Sequence, residues 1–245
     1  MKLEHLSLSI DNNSVSIPNL RRLNIFLGKA NIGKTYILDS IYKEAKRLAT
    51  KEYGKDHNRY LVYLKDMENS FKGFDYLFDE NTLTSSLLTR ILFSDYSYRE
   101  KLEDMVRLFF NEYETKDIAN PLKDWTKMSN SFKKLIHLAT ISSSTTFEKE
   151  YKTDIVIVDD IDSGINFNQF NSLAKMLIES DGNQFFVVVK SIEMLKAIAN
   201  ELDNTNEEVV SAYSVFRNKA GHIQTSLVDQ KSFCFNISVG NEIRG

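Results

Sequence analysis

Cysteine and proline are scarce in this chain, and their scarcity excludes several kinds of protein. Cys234 is the only cysteine in 245 residues, so neither an internal disulfide framework nor a cysteine-based metal site can form. Two prolines and nine glycines leave no flexible linker between separate domains. We therefore expect one domain over 1–245, in a reducing compartment such as the cytosol.

Long apolar runs and a strong excess of one charge are also missing. The first residues, MKLEHLSLSIDNN, mix acids and polar residues where a signal peptide needs a continuous apolar core. No run reaches the length of a membrane span. The formal net charge of −3 gives no general attraction to nucleic acid or anionic lipid. The composition predicts a cytoplasmic protein without a membrane segment, in which any contact with nucleic acid is confined to a local patch.

The octapeptide GKANIGKT, Gly28 to Thr35, is the most informative segment of the chain. It fits G-x-x-x-x-G-K-[ST], the phosphate-binding loop. The apolar run 23–27 before it predicts a buried strand, and apolar residues at helical spacing after it predict a helix to about Ala49. A strand, a glycine-containing turn and a helix in this order direct backbone N–H groups and a positive helix end at an anion.

Every residue of the octapeptide is a candidate contact for a bound nucleotide. The set is Gly28, Lys29, Ala30, Asn31, Ile32, Gly33, Lys34 and Thr35. In this interpretation Lys34 reaches the β- and γ-phosphates of ATP, and Thr35 holds Mg²⁺ through its hydroxyl. The alternative is a chance match in an ordinary strand–turn–helix unit. The flanking pattern favours the phosphate-binding interpretation.

A second motif complements the first. The β-branched run 155–158 predicts a strand buried on both faces, and it ends in Asp159 and Asp160. The first acid of such a pair holds Mg²⁺, and the second polarises the attacking water. Alone, the pattern also describes any buried strand that ends in an acid near a turn. Downstream of a phosphate loop, it indicates a nucleotide-hydrolysing site.

Strands alternating with helices predict an α/β fold with a largely parallel central sheet and β elements at the N-terminus. A hairpin is expected over 3–10 and 14–17. The other expected strands cover 23–27, 59–64, 155–158, 185–189, 209–216 and 222–228. Helices are expected over 129–141 and 192–202, and through the apolar stripe 167–177. The mixed aromatic and charged stretch of about 66–125 is interpreted as a helical insertion.

The chain resembles the ABC-type ATPases related to SMC, RecF and OLD proteins. LNIFLGKANIGKTYILDSI resembles their opening, and IVIVDDIDSGINFNQFNSLAKMLIE resembles their second motif. FFVVVKSIEML is similar to their switch strand, and SVGNEIRG to the end of the OLD-like, stand-alone branch. The similarity covers both ends of the chain and fails in the insertion. The resemblance implies a P-loop NTPase of the ABC-ATPase type.

The resemblance also implies a site shared between subunits. The family's signature motif heads a helix upstream of the acidic motif, and Met128 to Lys134 occupies that place. Ser129 would then meet the γ-phosphate bound to a neighbouring subunit, from the N-terminus of its helix. Because both signature glycines are missing, an ordinary N-capped helix is the alternative. Asp162 and the following Ser163-Gly164 fall in the family's D-loop, or form a plain turn.

Three departures from the family pattern concern catalysis. Asp160 stands where the family has glutamate, which draws the carboxylate back by roughly an ångström. Lys190 replaces the switch histidine, and no glutamine lies between the phosphate loop and the signature. Asp160 and Lys190 are therefore the candidate catalytic residues of a slow enzyme, with Thr35 and Asp159 as the candidate metal ligands.

Two functions from different classes fit these residues. The first is a Mg-dependent ATPase whose ATP-driven assembly into homo-oligomers controls a separate effector protein, for example a nuclease in anti-phage defence. The second is a nucleotide-gated scaffold or sensor with little or no hydrolysis, as Asp160 and Lys190 suggest. A small-molecule kinase or a GTPase fits less well, because the chain has no N-K-x-D motif and no arginine-rich lid.

Overall fold

The structure is a computed structural model that describes most of both ends of the chain. The described residues are 2–53, 61–64, 135, 138, 154–180, 182–203, 205 and 207–241. The predicted insertion at 66–125 and the predicted signature residue Ser129 lie outside them. Of the helix expected over 129–141, Leu135 and Leu138 are described, and both are helical and fully buried.

Eight strands and four α-helices have described bounds. The strands are β1 (Leu6–Ile10), β2 (Asn13–Ile17), β3 (Leu23–Leu27), β4 (Leu61–Leu64), β5 (Ile155–Val158), β6 (Gln184–Val188), β7 (Val210–Arg217) and β8 (Ile223–Asp229). The helices are α1 (Lys34–Tyr53), α2 (Phe170–Glu179), α3 (Ile192–Leu202) and α4 (Gln230–Ser238). Among the described residues, no helix has both the length and the apolarity to cross a membrane.

A six-stranded sheet forms the centre of the described part of the chain. Its order is β4-β5-β6-β3-β7-β8, and the first five strands run parallel. β8 is antiparallel to β7 at the edge. The expected α/β fold with a largely parallel sheet is thereby confirmed. Since β6 lies between β5 and β3, the carboxyl ends of these three strands lie side by side.

The sheet is covered on both faces, which explains why its strands are apolar throughout. Successive strand residues point to opposite faces, so Val156 and Val158 join the core formed with α2, α3 and α4. Ile155 and Ile157 join the core formed with α1 and the β1–β2 hairpin. The two cores hold the three central carboxyl ends in fixed relative positions.

The N-terminal hairpin is formed as expected, with slightly different bounds. β1 and β2 pair antiparallel with Ile10 opposite Asn13. The two turn residues, Asp11 (φ 49°) and Asn12 (φ 62°), both have positive φ, as a two-residue type I′ turn requires. Aspartate and asparagine tolerate that conformation better than other non-glycine residues.

The prediction that Phe167 belongs to the apolar stripe of a helix is wrong. Phe167 is 71% exposed and starts a 3₁₀ turn, Phe167–Gln169, that precedes α2. The side chain of Asn166 caps this turn by accepting from the Asn168 N–H at 3.1 Å. Because a 3₁₀ turn has three residues per turn, the α-helical spacing of the stripe does not extend back to Phe167.

A helix that the sequence did not predict, α4, follows β8. Asp229 is the N-cap of α4 and accepts from the Ser232 N–H at 2.9 Å. Phe233 and Ile237, four residues apart, are buried in the core shared with α2 and α3. The sequence contained this signal, an aspartate cap before an apolar pair, but polar residues dominate the rest of the segment.

Candidate functional site

Residues 28–35 form a loop between β3 and α1 whose shape depends on glycine. Gly28 (φ +153°) and Gly33 (φ +114°) adopt backbone conformations that other residues rarely reach. A Cβ on Gly28 would lie 2.6 Å from the carbonyl oxygen of Val215, and one on Gly33 would lie 2.3 Å from Cδ1 of Ile223. The loop therefore packs directly against β7 and the start of β8.

Lys34 is held inside this loop. The residue is only 9% exposed, and its Nζ donates to the carbonyl oxygens of Gly28 and Lys29 at 2.8 Å each. These bonds offset the cost of burying an ammonium group. Because α1 also begins at Lys34, the positive end of the helix adds to the same field. The loop thus concentrates positive charge where the sequence predicts phosphate.

Thr35 and Asp159 bring the two sequence motifs into contact. The hydroxyl of Thr35, in the first turn of α1, donates to Oδ2 of Asp159 at 2.7 Å. Asp159 follows β5 directly, and the two residues are 124 positions apart in the sequence. Burial raises the pKa of the Asp159 carboxyl, and the bond from Thr35 partly opposes that shift. A half-buried carboxylate beside a hydroxyl is a suitable pair of oxygen ligands for Mg²⁺.

Asp160 and Lys190 also meet, in a way that the sequence did not indicate. The ammonium of Lys190, which follows β6, forms an ion pair and hydrogen bond with Oδ2 of Asp160. This hydrogen bond raises the pKa of Lys190, with burial acting in the opposite direction. Asp160 has a left-handed backbone, φ 49°, which aspartate tolerates. The two predicted catalytic residues are therefore partners of each other.

Asp162 forms hydrogen bonds with the main chain of its own subunit next to the site. It is 7% exposed, and both its carboxylate oxygens accept from the Lys190 N–H at 3.1 Å. The Ser191 N–H also donates to it. The segment from Asp160 to Gly164 forms a turn, closed by the Ser163 N–H donating to the Asp160 carbonyl at 3.0 Å. The hydrogen bonds of Asp162 therefore connect this turn to the residues that follow β6.

Two further features near the site were missed by sequence reasoning. Nη2 of Arg217, at the end of β7, lies 3.9 Å from the Cβ position of Gly33. The hydroxyl of Tyr63 in β4 donates to Oδ1 of Asp39 in α1 at 2.9 Å. Burial raises the pKa of Tyr63, and Asp39 adds to the shift. In the sequence, Arg217 is only a cation at the end of a predicted strand. Its place near the loop depends on β7 lying beside β3, and the sequence does not give the strand order.

The comparisons with known proteins identify the fold. No family model and no curated protein matches this chain. Among solved structures, an SMC head bound to the C-winged helix domain of ScpA aligns with 92% of this chain and 97% of its own, at 13% identity and a TM-score of 0.53. An ATP-binding cassette of an ABC transporter in its ADP conformation aligns with 95% and 93%, at 15% identity and a TM-score of 0.49.

At these identities the likeness concerns the fold alone. The described part of the chain shares the α/β fold of that SMC head, with the largely parallel central sheet that the sequence predicted. The branch of ABC-type ATPases that the sequence resembles, OLD-like or another, stays a prediction.

Proposed function

We propose that this chain binds Mg·ATP at the loop 28–35 and hydrolyses it slowly. The observation that carries the proposal is the hydrogen bond between Thr35 and Asp159, 2.7 Å long. It joins two motifs that were each ambiguous in the sequence. Beside this bond, Lys34 is held in a loop whose backbone conformation requires glycine at positions 28 and 33. This is the arrangement that phosphate binding with a metal requires.

The donor atoms fit Mg²⁺ held together with phosphates. Among the described residues, no group of three or more His, Cys, Asp or Glu could hold a metal ion. Mg²⁺ is usually bound by one or two protein oxygens, substrate phosphates and water, and Thr35 and Asp159 would supply the protein oxygens. Bound there, the ion would neutralise charge on the phosphate oxygens.

The other residues of the loop would hold the phosphates. Lys34 would neutralise phosphate charge, and backbone N–H groups from Gly28 to Thr35 would donate to phosphate oxygens. Asp160 would accept a proton from the attacking water, because it follows Asp159 at the same sheet edge. Slow turnover is expected because the Asp160 carboxylate is engaged by Lys190 in an ion pair and because its side chain is one methylene shorter than the family's glutamate.

The same ion pair supports a second candidate function. A chain that binds ATP but engages its candidate base with a lysine would serve as a nucleotide-gated sensor or scaffold. The two functions share the binding site and differ only in whether phosphate is released.

Assembly and partner control complete the proposal and rest on the family resemblance. We propose that ATP joins the loop of one subunit to Ser129 of another, giving a homo-oligomer in the cytoplasm. This assembly would control a separate effector protein, with a nuclease in anti-phage defence as one example. The SMC head in the compared structure is bound to a domain of a partner protein, which is consistent with such control.

Steady-state phosphate release measures the proposed activity. Wild-type turnover should lie below the roughly 1–10³ s⁻¹ typical of enzymes, and Asp160→Asn should lower it by about 10²- to 10⁴-fold. Asp160→Glu should maintain or raise the rate, since the longer side chain reaches further toward the water. Asp203→Asn makes the same chemical change at an exposed position after α3 and should leave the rate unchanged.

Two results would contradict parts of this account. If Asp160→Asn retains the full rate of an active wild type, Asp160 is not the base. If the wild type binds ATP and releases no phosphate even with a partner present, the sensor function replaces the ATPase function.

A further inference from the structure

Asp39 is an acid near the site that belongs to neither nucleotide motif. It lies on α1 one helical turn after Thr35, whose hydroxyl contacts Asp159. Residues four apart share a helix face, with Cβ atoms about 5–6 Å apart, and side chains of a helix lean toward its N-terminus. The Asp39 carboxylate therefore leans toward the turn that contains Thr35. Its Oδ1 accepts from the Tyr63 hydroxyl at 2.9 Å.

The strand register explains how Tyr63 reaches this face of α1. Tyr63 in β4 pairs with Ile157 in β5, and both pack in the core formed with α1. Asp159 follows Ile157 by two residues and also reaches α1, through its bond from Thr35. The ring of Tyr63 packs against that of Tyr42 in α1, with centroids 5.4 Å apart. Packing thus fixes the Tyr63 ring close to both acids.

The electrostatics of Tyr63 make it a permanent hydrogen-bond donor. Burial raises the pKa of Tyr63, the hydrogen bond and the charge of Asp39 raise it further, and the charge of Asp159 adds to the shift. The phenol therefore keeps its proton at neutral pH. Because that proton is donated to Asp39, Tyr63 holds the Asp39 carboxylate in one orientation.

A magnesium ion held by Thr35 and Asp159 would bring water molecules close to this carboxylate. Mg²⁺ that binds with nucleotide phosphates usually keeps several water ligands, and each of these waters can donate to an acceptor outside the metal's own ligands. An ionised carboxylate has about four acceptor positions, so Asp39 can accept from such a water and from Tyr63 at the same time.

We propose that Asp39, oriented by Tyr63, is a positioning residue that accepts a hydrogen bond from a water ligand of the bound Mg²⁺. This inference rests on the proposed function, because it needs a nucleotide and a metal ion at the loop. In this role Asp39 strengthens the binding of ATP with its metal without touching the phosphates. Its negative charge gives no such advantage to metal-free ATP, so the pair makes nucleotide binding depend on Mg²⁺.

The affinity of the full chain for ATP, measured with Mg²⁺ and again with EDTA, tests this role. Asp39→Asn should lower the ratio of the two affinities by about 10- to 100-fold, the usual effect of losing an outer partner of a metal site, and should not weaken metal-free binding. Tyr63→Phe retains the ring and should lower the ratio by less. Glu44→Gln makes the same change on the same helix, at a carboxylate paired with Arg47, and should change neither affinity.

Thr35→Val separates this inference from the proposed function, since it removes a proposed ligand of the metal itself. If Thr35→Val lowers the ratio and Asp39→Asn does not, the metal site stands and the role of Asp39 is overturned. Equal weakening of both affinities in a folded Asp39→Asn indicates a structural role and also overturns it. An unchanged ratio in Tyr63→Phe overturns the orientation by Tyr63, even if Asp39→Asn does not fold.

Two results with the wild type would refute the proposed function instead, and this inference with it. One is a folded wild type that binds no ATP in either condition. The other is a wild type that binds ATP equally well with Mg²⁺ and with EDTA, which would remove the metal site at Thr35 and Asp159.

Discussion

Gly28 and Gly33 show how single residues constrain the phosphate loop. Their positive φ values, +153° and +114°, would strain any other residue. Space adds a second restriction, because each glycine lies against β7 or β8. The glycines of the motif are therefore needed for packing of the loop on its own sheet, in addition to any close approach of a phosphate.

Gly28→Ala should destabilise the protein more than Gly221→Ala. Both positions have positive φ, but a Cβ on Gly221 would meet nothing within 4 Å, whereas one on Gly28 would lie 2.6 Å from the backbone oxygen of Val215. The left-handed conformation alone costs roughly 1–2 kcal/mol, and overpacking should add about 1–3 kcal/mol at Gly28. Urea unfolding of the two variants gives the difference, and equal losses would contradict the packing argument.

The sequence identified some of the individual site residues and missed the contacts between others. Lys34, Thr35 and Asp159 belong to motifs with fixed spacing, and the structure brings them to one sheet edge. The pairing of Lys190 with Asp160 depends on where β6 lies in the sheet, which the sequence does not state. For the same reason, the hydrogen bonds that the N–H groups of Lys190 and Ser191 donate to Asp162 could not be predicted.

Among the helices, α4 shows how an N-cap residue stabilises the start of a helix. Asp229 ends β8 and is the N-cap of α4, and its carboxylate accepts from the Ser232 N–H and from the Ser232 hydroxyl. The bond from the Ser232 backbone lowers the pKa of Asp229 below its usual range. A charged cap at a helix N-terminus is also favoured by the helix dipole.

Asp229→Ala should lower the free energy of unfolding at neutral pH by about 0.5–2 kcal/mol, the usual value of a lost N-cap. Asp229→Asn retains an acceptor and should lose less. Because the folded-state pKa is depressed, the stabilisation is present above the unfolded pKa, near 3.9, and is lost as pH falls through the folded value. Thermal unfolding at pH 7 and pH 3 should therefore show a smaller Asp229→Ala effect in acid. An equal effect at both pH values would show that the charge plays no part.

The elements most readily predicted were those with the strongest apolar patterns. The runs 23–27, 155–158 and 185–189 are buried on both faces, and their strands lie within one residue of the expected bounds. α4 was not predicted because its apolar signal is weak: Phe233 and Ile237 are its two buried residues, and most of the others are polar. Phe167 was misassigned because a 3₁₀ turn and an α-helix begin alike in sequence and differ in which face they bury.

At the scale of the whole molecule, the proposed assembly should depend on nucleotide. If ATP joins two copies through Ser129, a non-hydrolysable ATP analogue should promote self-association, and Ser129→Arg should block it while nucleotide binding by the single subunit persists. Analytical ultracentrifugation with and without the analogue measures this directly. A chain that stays monomeric in both conditions, or an assembly that Ser129→Arg leaves intact, would contradict the shared site.

We propose that this chain binds Mg·ATP through Lys34 and the loop 28–35. A calorimetric titration of ATP with Mg²⁺ into wild type, Lys34→Ala and Lys43→Ala tests this binding. Lys43→Ala is the control, because Lys43 is an exposed lysine of the same helix. Wild type and Lys43→Ala should bind with equal affinity, and a folded Lys34→Ala should show no measurable binding. Unchanged affinity in Lys34→Ala would contradict this proposal.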